Sequence, residues 1–87
     1  SLIFKDIKQR LAGFFIYEAR HNGIMDGQRT IIKLDLTTTQ LAAIVGASRQ
    51  TVSTIVGAML KDGVLEKPHR NLYLIPNIDL FRNYAQI

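Results

Sequence analysis

GASRQTV, residues 46–52, lies between two short segments whose apolar residues recur at helical spacing. Upstream, TTTQLAAIV (37–45) opens on Thr37 and carries Gln40 three residues later. That is a capping-box pattern, in which a hydroxyl and a side-chain amide satisfy free backbone groups at a helix start. Downstream, Ser48 is a good N-cap, and Val52, Ile55, Val56, Met59 and Leu60 form one apolar stripe running to about Asp62, with Gly63 as the stop. Two helices joined by so short a turn must cross steeply and approach closely, so particular sizes are required at particular places. Ala42 is small where the helices cross, and Gly46 can take a left-handed backbone without strain. Leu41, Val45, Val52 and Ile55 are apolar where the pair must join a core. The pattern predicts a helix-turn-helix over about 38–62.

The flanks complete the layout. From Leu2 to about Arg20, Ile3, Ile7, Leu11, Phe14, Phe15 and Ala19 give an amphipathic helix. HNGIMDGQ (21–28) then reads as a breaker cluster that opens a loop. RTIIKLDL (29–36) alternates, with Ile32, Leu34 and Leu36 on one face and Lys33 and Asp35 on the other, as in a half-buried strand. VLEK and LYLI flank PHRN and read as a two-stranded hairpin over about 64–75 with a basic tip. Pro76 and Asn77 start a last helix that docks Leu80, Phe81 and Tyr84 inward. The expected fold is α+β: a winged helix-turn-helix with three or four helices, a small antiparallel sheet of three strands, and a β-hairpin wing.

Eighty-seven residues with 47% hydrophobic content suit one domain with one core. With no cysteine there are no disulfides, thiolate metal sites or cysteine nucleophiles, which suits a reducing cytoplasm. No apolar run is long enough to span a bilayer, and charges interrupt the first ten residues where a signal peptide needs an apolar centre. Seven carboxylates are scattered singly and two histidines, His21 and His69, lie far apart. No catalytic or metal-binding constellation results, so neither an enzyme nor a metal site is expected.

Net charge is +4, and no Asp or Glu occurs from Thr37 to Lys61. That stretch can approach phosphates without repulsion. The outward face of the second helix consists of Arg49, Gln50, Ser53, Thr54 and Gly57. Near the N-terminus of a helix that enters a major groove, such side chains hydrogen-bond base edges: Arg to guanine, Gln to adenine, Ser and Thr to either. The expected partner is therefore double-stranded DNA, read by Arg49, Gln50, Ser53 and Thr54. The rival is a winged helix used as a protein-interaction module without DNA work. The carboxylate-free, hydroxyl-rich face led by Arg49 argues against it.

LTTTQLAAIVGASRQTVSTIVGAMLKDGVLE (36–66) resembles the DNA-binding domain of the Crp/Fnr superfamily of bacterial transcription regulators. The shared pattern is glycine, a small residue, Ser-Arg, Thr-Val, and then Gly-hydrophobic before the wing. In that family the arginine matched by Arg49 reads a guanine. Gln50 and Thr54 depart from the common choices of Glu and of Arg or Ser, which leaves the preferred operator open at those base pairs. The resemblance implies phosphate contacts from Thr37 and Thr38 at one helix start, from Ser48 and Thr51 at the next, and from His69 and Arg70 at the hairpin tip with Lys67 beside them. It further implies a fragment of a longer regulator that forms a homodimer on a palindromic operator, the isolated domain being monomeric. The effector-binding barrel would lie outside these residues, so no cofactor is expected in this domain and the effector is unspecified. A contact of the 21–28 loop with RNA polymerase follows from the resemblance alone.

Overall fold

The computed structural model describes residues 1–87. In chain order the elements are α1 (Leu2–Asn22), β1 (Ile24–Asp26), β2 (Arg29–Lys33), α2 (Thr38–Val45), α3 (Arg49–Lys61), β3 (Glu66–His69), β4 (Leu72–Ile75) and α4 (Ile78–Ala85). The strands form one antiparallel sheet of four, ordered β1-β2-β4-β3.

The fourth strand corrects the expected loop at 21–28. Gly23 ends α1, and Ile24, Met25 and Asp26 pair with Ile31, Thr30 and Arg29. The breaker residues thus mark a tight hairpin. Gly27 has φ +65°, while Gln28 stays at negative φ, the arrangement of a type II′ turn that suits strand twist. Asp26 and Arg29 form a salt bridge across it, the one ion pair in the chain. Gly23 is needed for close approach: a Cβ there would lie 2.3 Å from the Ala19 carbonyl oxygen and 2.6 Å from Thr30 Cγ2.

The helix pair forms as its residues dictate. The Thr37 hydroxyl accepts from the Gln40 backbone N–H at 3.1 Å, and Gln40 Oε1 accepts from the Thr37 N–H at 2.8 Å. Gly46 closes α2 in the left-handed region, at φ 74° and ψ 40°. Ser48 caps α3, its Oγ accepting from the Thr51 N–H at 3.1 Å. Ala42, Val45, Val52, Ile55 and Met59 are buried between the two helices and the rest of the core.

The core is closed by aromatic residues from three elements. Phe15 of α1 meets Tyr73 of β4 at 5.0 Å between ring centroids and Phe81 of α4 edge-on at 6.3 Å. Ile32 and Leu34 face inward with Ile75, and Lys33 and Asp35 outward, as the alternation required. Three apolar residues expected inside are not. Ile3, Leu60 and Leu80 are exposed, because α1 turns Ile7, Leu11 and Phe15 to the core, α3 turns Met59, and α4 turns Phe81 and Ala85. The wing strand β3 includes Pro68 and His69, so the tip is Arg70-Asn71 rather than the whole of PHRN.

Candidate nucleic-acid interface

The turn at Gly46 swings α3 away from α2, so that its buried residues Val52, Ile55 and Met59 leave an opposite face free. On that face Arg49, Gln50, Ser53, Thr54 and Gly57 are all exposed. Arg49 takes part in no ion pair, so its guanidinium is uncommitted. A Cβ added at Gly57 would meet nothing within 4 Å, and no side chain of the protein crosses this surface there.

Gln50 and Thr54 are joined. The Thr54 hydroxyl donates to the Gln50 backbone carbonyl at 3.0 Å, and Gln50 Nε2 donates to Thr54 Oγ1 at 3.4 Å. At the helix start the Ser48 hydroxyl donates to Thr51 Oγ1 at 2.9 Å. This leaves the Thr51 proton and the unpaired N–H groups of the first turn to meet an anion.

A second set of groups gathers at one side of this helix pair. Asp35, Leu36, Thr37, Thr38, Lys67 and Arg70 line a groove of about 410 Å³. It brings the N-terminus of α2 against the wing. The free N–H groups of a helix start and two cations from another element make an anion-favouring surface, and neither cation is held in a salt bridge. Lys67 also covers the Tyr73 ring, its Nζ 5.0 Å from the centroid, which holds the ammonium group beside the core aromatic at the edge of this groove.

His69 does not join this set. It faces a separate groove of about 370 Å³ with Lys33, Leu34, Asp35, Asn71 and Leu72. Arg70 lies beyond β3 in the turn, and within β3 the register shifts between Glu66 and His69, so His69 does not share the side of Lys67. Asp35 borders both grooves and is the one carboxylate in this region, a feature that reading the chain in segments missed. Its signal was its outward position one turn of the alternation before Thr37.

Residues 9–84 match the family of Crp-like helix-turn-helix domains. The chain is a Crp-like helix-turn-helix domain. The match takes in every element from most of α1 to the last turn of α4.

Solved structures similar to this Crp-like domain agree. The CO-dependent transcription factor CooA from Carboxydothermus hydrogenoformans, in its imidazole-bound form, superposes with a TM-score of 0.86 at 31% identity, over 97% of this chain and 38% of its own. The reduced CO-sensing protein from R. rubrum gives 0.73 at 37% identity, over 97% of this chain and 37% of its own. Reduced, ligand-free CprK gives 0.79 at 22% identity over 88% of this chain and 36% of its own, a likeness of fold. The Crp-like domain thus spans less than two fifths of the length of these relatives. The comparison with curated protein sequences returns no match. None of its helices is long and apolar enough to cross a membrane.

Proposed function

We propose that this Crp-like domain binds double-stranded DNA sequence-specifically in the regulation of transcription, with α3 in the major groove. The observation that carries the reading is the free face of α3: exposed, polar, without a carboxylate, and led by an unpaired arginine. Arg49 and Gln50 stand at its N-terminal end, where side chains reach base edges, with Ser53 and Thr54 one turn on. Thr37, Thr38, Lys67 and Arg70 lie together beside the helix pair with Asp35 as the one acid among them, and Ser48 and Thr51 stand at the start of α3, so phosphates on either side of the groove would meet mostly donors. His69 is assigned a backbone contact from the other flank of the wing.

The kinship to CooA, a transcription factor by its own description, supports the regulatory role. By the same kinship the full regulator would act as a homodimer on a palindromic operator in the cytoplasm. The β1–β2 hairpin, which presents exposed Ile24 and Met25, would be the surface turned to RNA polymerase. The domain has no assigned catalytic role.

Titration of the 87-residue chain with duplex DNA at several salt concentrations tests the reading. Weak binding is expected, with an affinity that falls steeply as salt rises, by about 0.9 logarithmic units per tenfold salt for each phosphate neutralised. Absence of binding to any duplex at low salt would leave only a protein-interaction role for the fold.

A further inference from the structure

We infer that Thr54 is a positioning residue for Gln50, which fixes the glutamine amide so that its oxygen and one N–H face outward as an acceptor–donor pair suited to adenine. The inference rests on the base-reading role given above to α3 and specifies one step of it.

The orientation follows from counting protons. A threonine hydroxyl has one proton to give and lone pairs to accept with. The Thr54 proton is directed to the Gln50 backbone carbonyl at 3.0 Å, a back-bond to the preceding turn. Toward the Gln50 side chain the hydroxyl therefore offers only a lone pair. An amide oxygen placed there would face another acceptor, so the NH₂ must take the position, as it does at 3.4 Å. The result is a closed loop of two hydrogen bonds between residues one turn apart on an exposed face. It leaves Oε1 and the second N–H of Gln50 without partners in the protein.

That remainder selects a base. Adenine presents an N6 donor beside an N7 acceptor in the major groove, and the pair Oε1 and N–H satisfies both. Guanine presents two acceptors, so Oε1 would stand against O6. A glutamine free to rotate its amide could turn NH₂ toward guanine instead, and the Thr54 lone pair opposes that rotation. Ser53, by contrast, makes no hydrogen bond to Gln50 and does not constrain it.

The test uses the 87-residue chain and duplexes selected on it from a randomised pool at low salt, with each base pair of the selected site then changed in turn. Gln50→Ala marks the base pair that Gln50 reads, by loss of the adenine preference there. Thr54→Val keeps the branched shape and the methyl group but removes the hydroxyl. It should lower adenine-over-guanine discrimination at that same base pair by roughly three- to tenfold, leaving the preference lost in Arg49→Ala unchanged. Thr54→Ser, which retains the hydroxyl, should restore the preference, and thermal melts of all variants report that each is folded. The inference is overturned if Thr54→Val leaves the adenine preference intact, weakens all sequences equally, or alters only a base pair that Gln50→Ala does not. A wild-type chain that binds duplexes with no sequence preference would instead remove the base-reading role on which the inference stands.

Discussion

At the scale of single residues, two arginines outside any ion pair, Arg49 and Arg70, carry different assignments. Under the proposed function Arg49, in the first turn of α3, is assigned a guanine edge, and Arg70, in the wing turn beside Thr37 and Thr38, a phosphate. Arg49→Ala should therefore cost about 1–3 kcal/mol on a selected site and relax the preference at one base pair. Arg70→Ala should weaken selected and random duplexes by similar factors and reduce the salt slope by about one unit. Affinities of both variants on the selected site and its single-base derivatives separate these outcomes; an Arg49→Ala variant with every base preference intact would refute the assignment. Asp35 gives a prediction of the opposite sign. Its carboxylate borders the groove that holds Lys67 and Arg70, so it repels a phosphate there. Asp35→Asn should tighten binding to every duplex alike, roughly two- to fivefold at low salt, with the gain fading as salt screens the exposed charge. Salt titrations on random DNA measure this, and unaltered affinity would mean that no phosphate comes near Asp35. Arg49 was legible in the sequence because its place is set by Ser48 immediately before it. The Asp35 effect was not, because it depends on Lys67 and Arg70, which the sheet brings back from about thirty residues away.

At the scale of elements, legibility followed how locally each one is determined. The turn of the helix pair is written in adjacent residues: a capping box at Thr37 and Gln40, a left-handed Gly46, and a Ser48 cap. Each satisfies backbone groups within four positions in the chain, so the sequence alone specifies it. Strand β1 differs. Its three residues carry no alternation, and all are exposed, so nothing but pairing with β2 defines them. Leu80 and Ile3 fit a helical stripe, yet which side of the stripe is covered depends on how α4 packs on α1 around Phe15 and Phe81. Two glycines test this distinction between local and tertiary demands. Gly23 sits where an added methyl group would run into the Ala19 carbonyl and the Thr30 side chain, so Gly23→Ala should destabilise the fold by about 1–3 kcal/mol. Gly57, mid-helix with open space around it, should gain up to about 1 kcal/mol on replacement by Ala, through helix propensity. Thermal melts of the two variants should move in opposite directions. A Gly23→Ala midpoint equal to wild type would mean that the junction of α1 and β1 is looser than described.

At the scale of the whole molecule, the position of α3 depends on contacts at its far end that no segment reveals alone. α1 packs on α2, α3 and α4, with Phe15 at the centre of the aromatic cluster. At the C-terminal end of α3, the Tyr84 hydroxyl of α4 donates to Asp62 Oδ2 at 2.7 Å. Lys8 of α1 lies over the Tyr84 ring, its Nζ 5.1 Å from the centroid. One tyrosine thus links the last helix to the cap of α3 under a cation from the first. Its partial burial, and then its bond to the Asp62 carboxylate and the charge of that carboxylate, push the phenol up to about 12. The unfolded chain holds the same proton with an ordinary value of about 10. A group whose folded value is raised stabilises the fold fully while both states keep the proton, and that contribution declines as pH rises through the folded value. Tyr84 should therefore contribute its full share below about pH 10 and lose it progressively toward pH 12, where a phenolate would face Asp62. Tyr84→Phe keeps the ring under Lys8 and removes only the hydroxyl. All other ionisable groups are common to both proteins, so the difference between their melting temperatures reports on this one hydroxyl. Wild type should melt above the variant at pH 8, and the gap should shrink from pH 10 upward. A gap that stayed constant to pH 12 would show that the hydroxyl does not hold the Asp62 bond, and that α4 keeps its place against α3 through Phe81 and Ala85 alone.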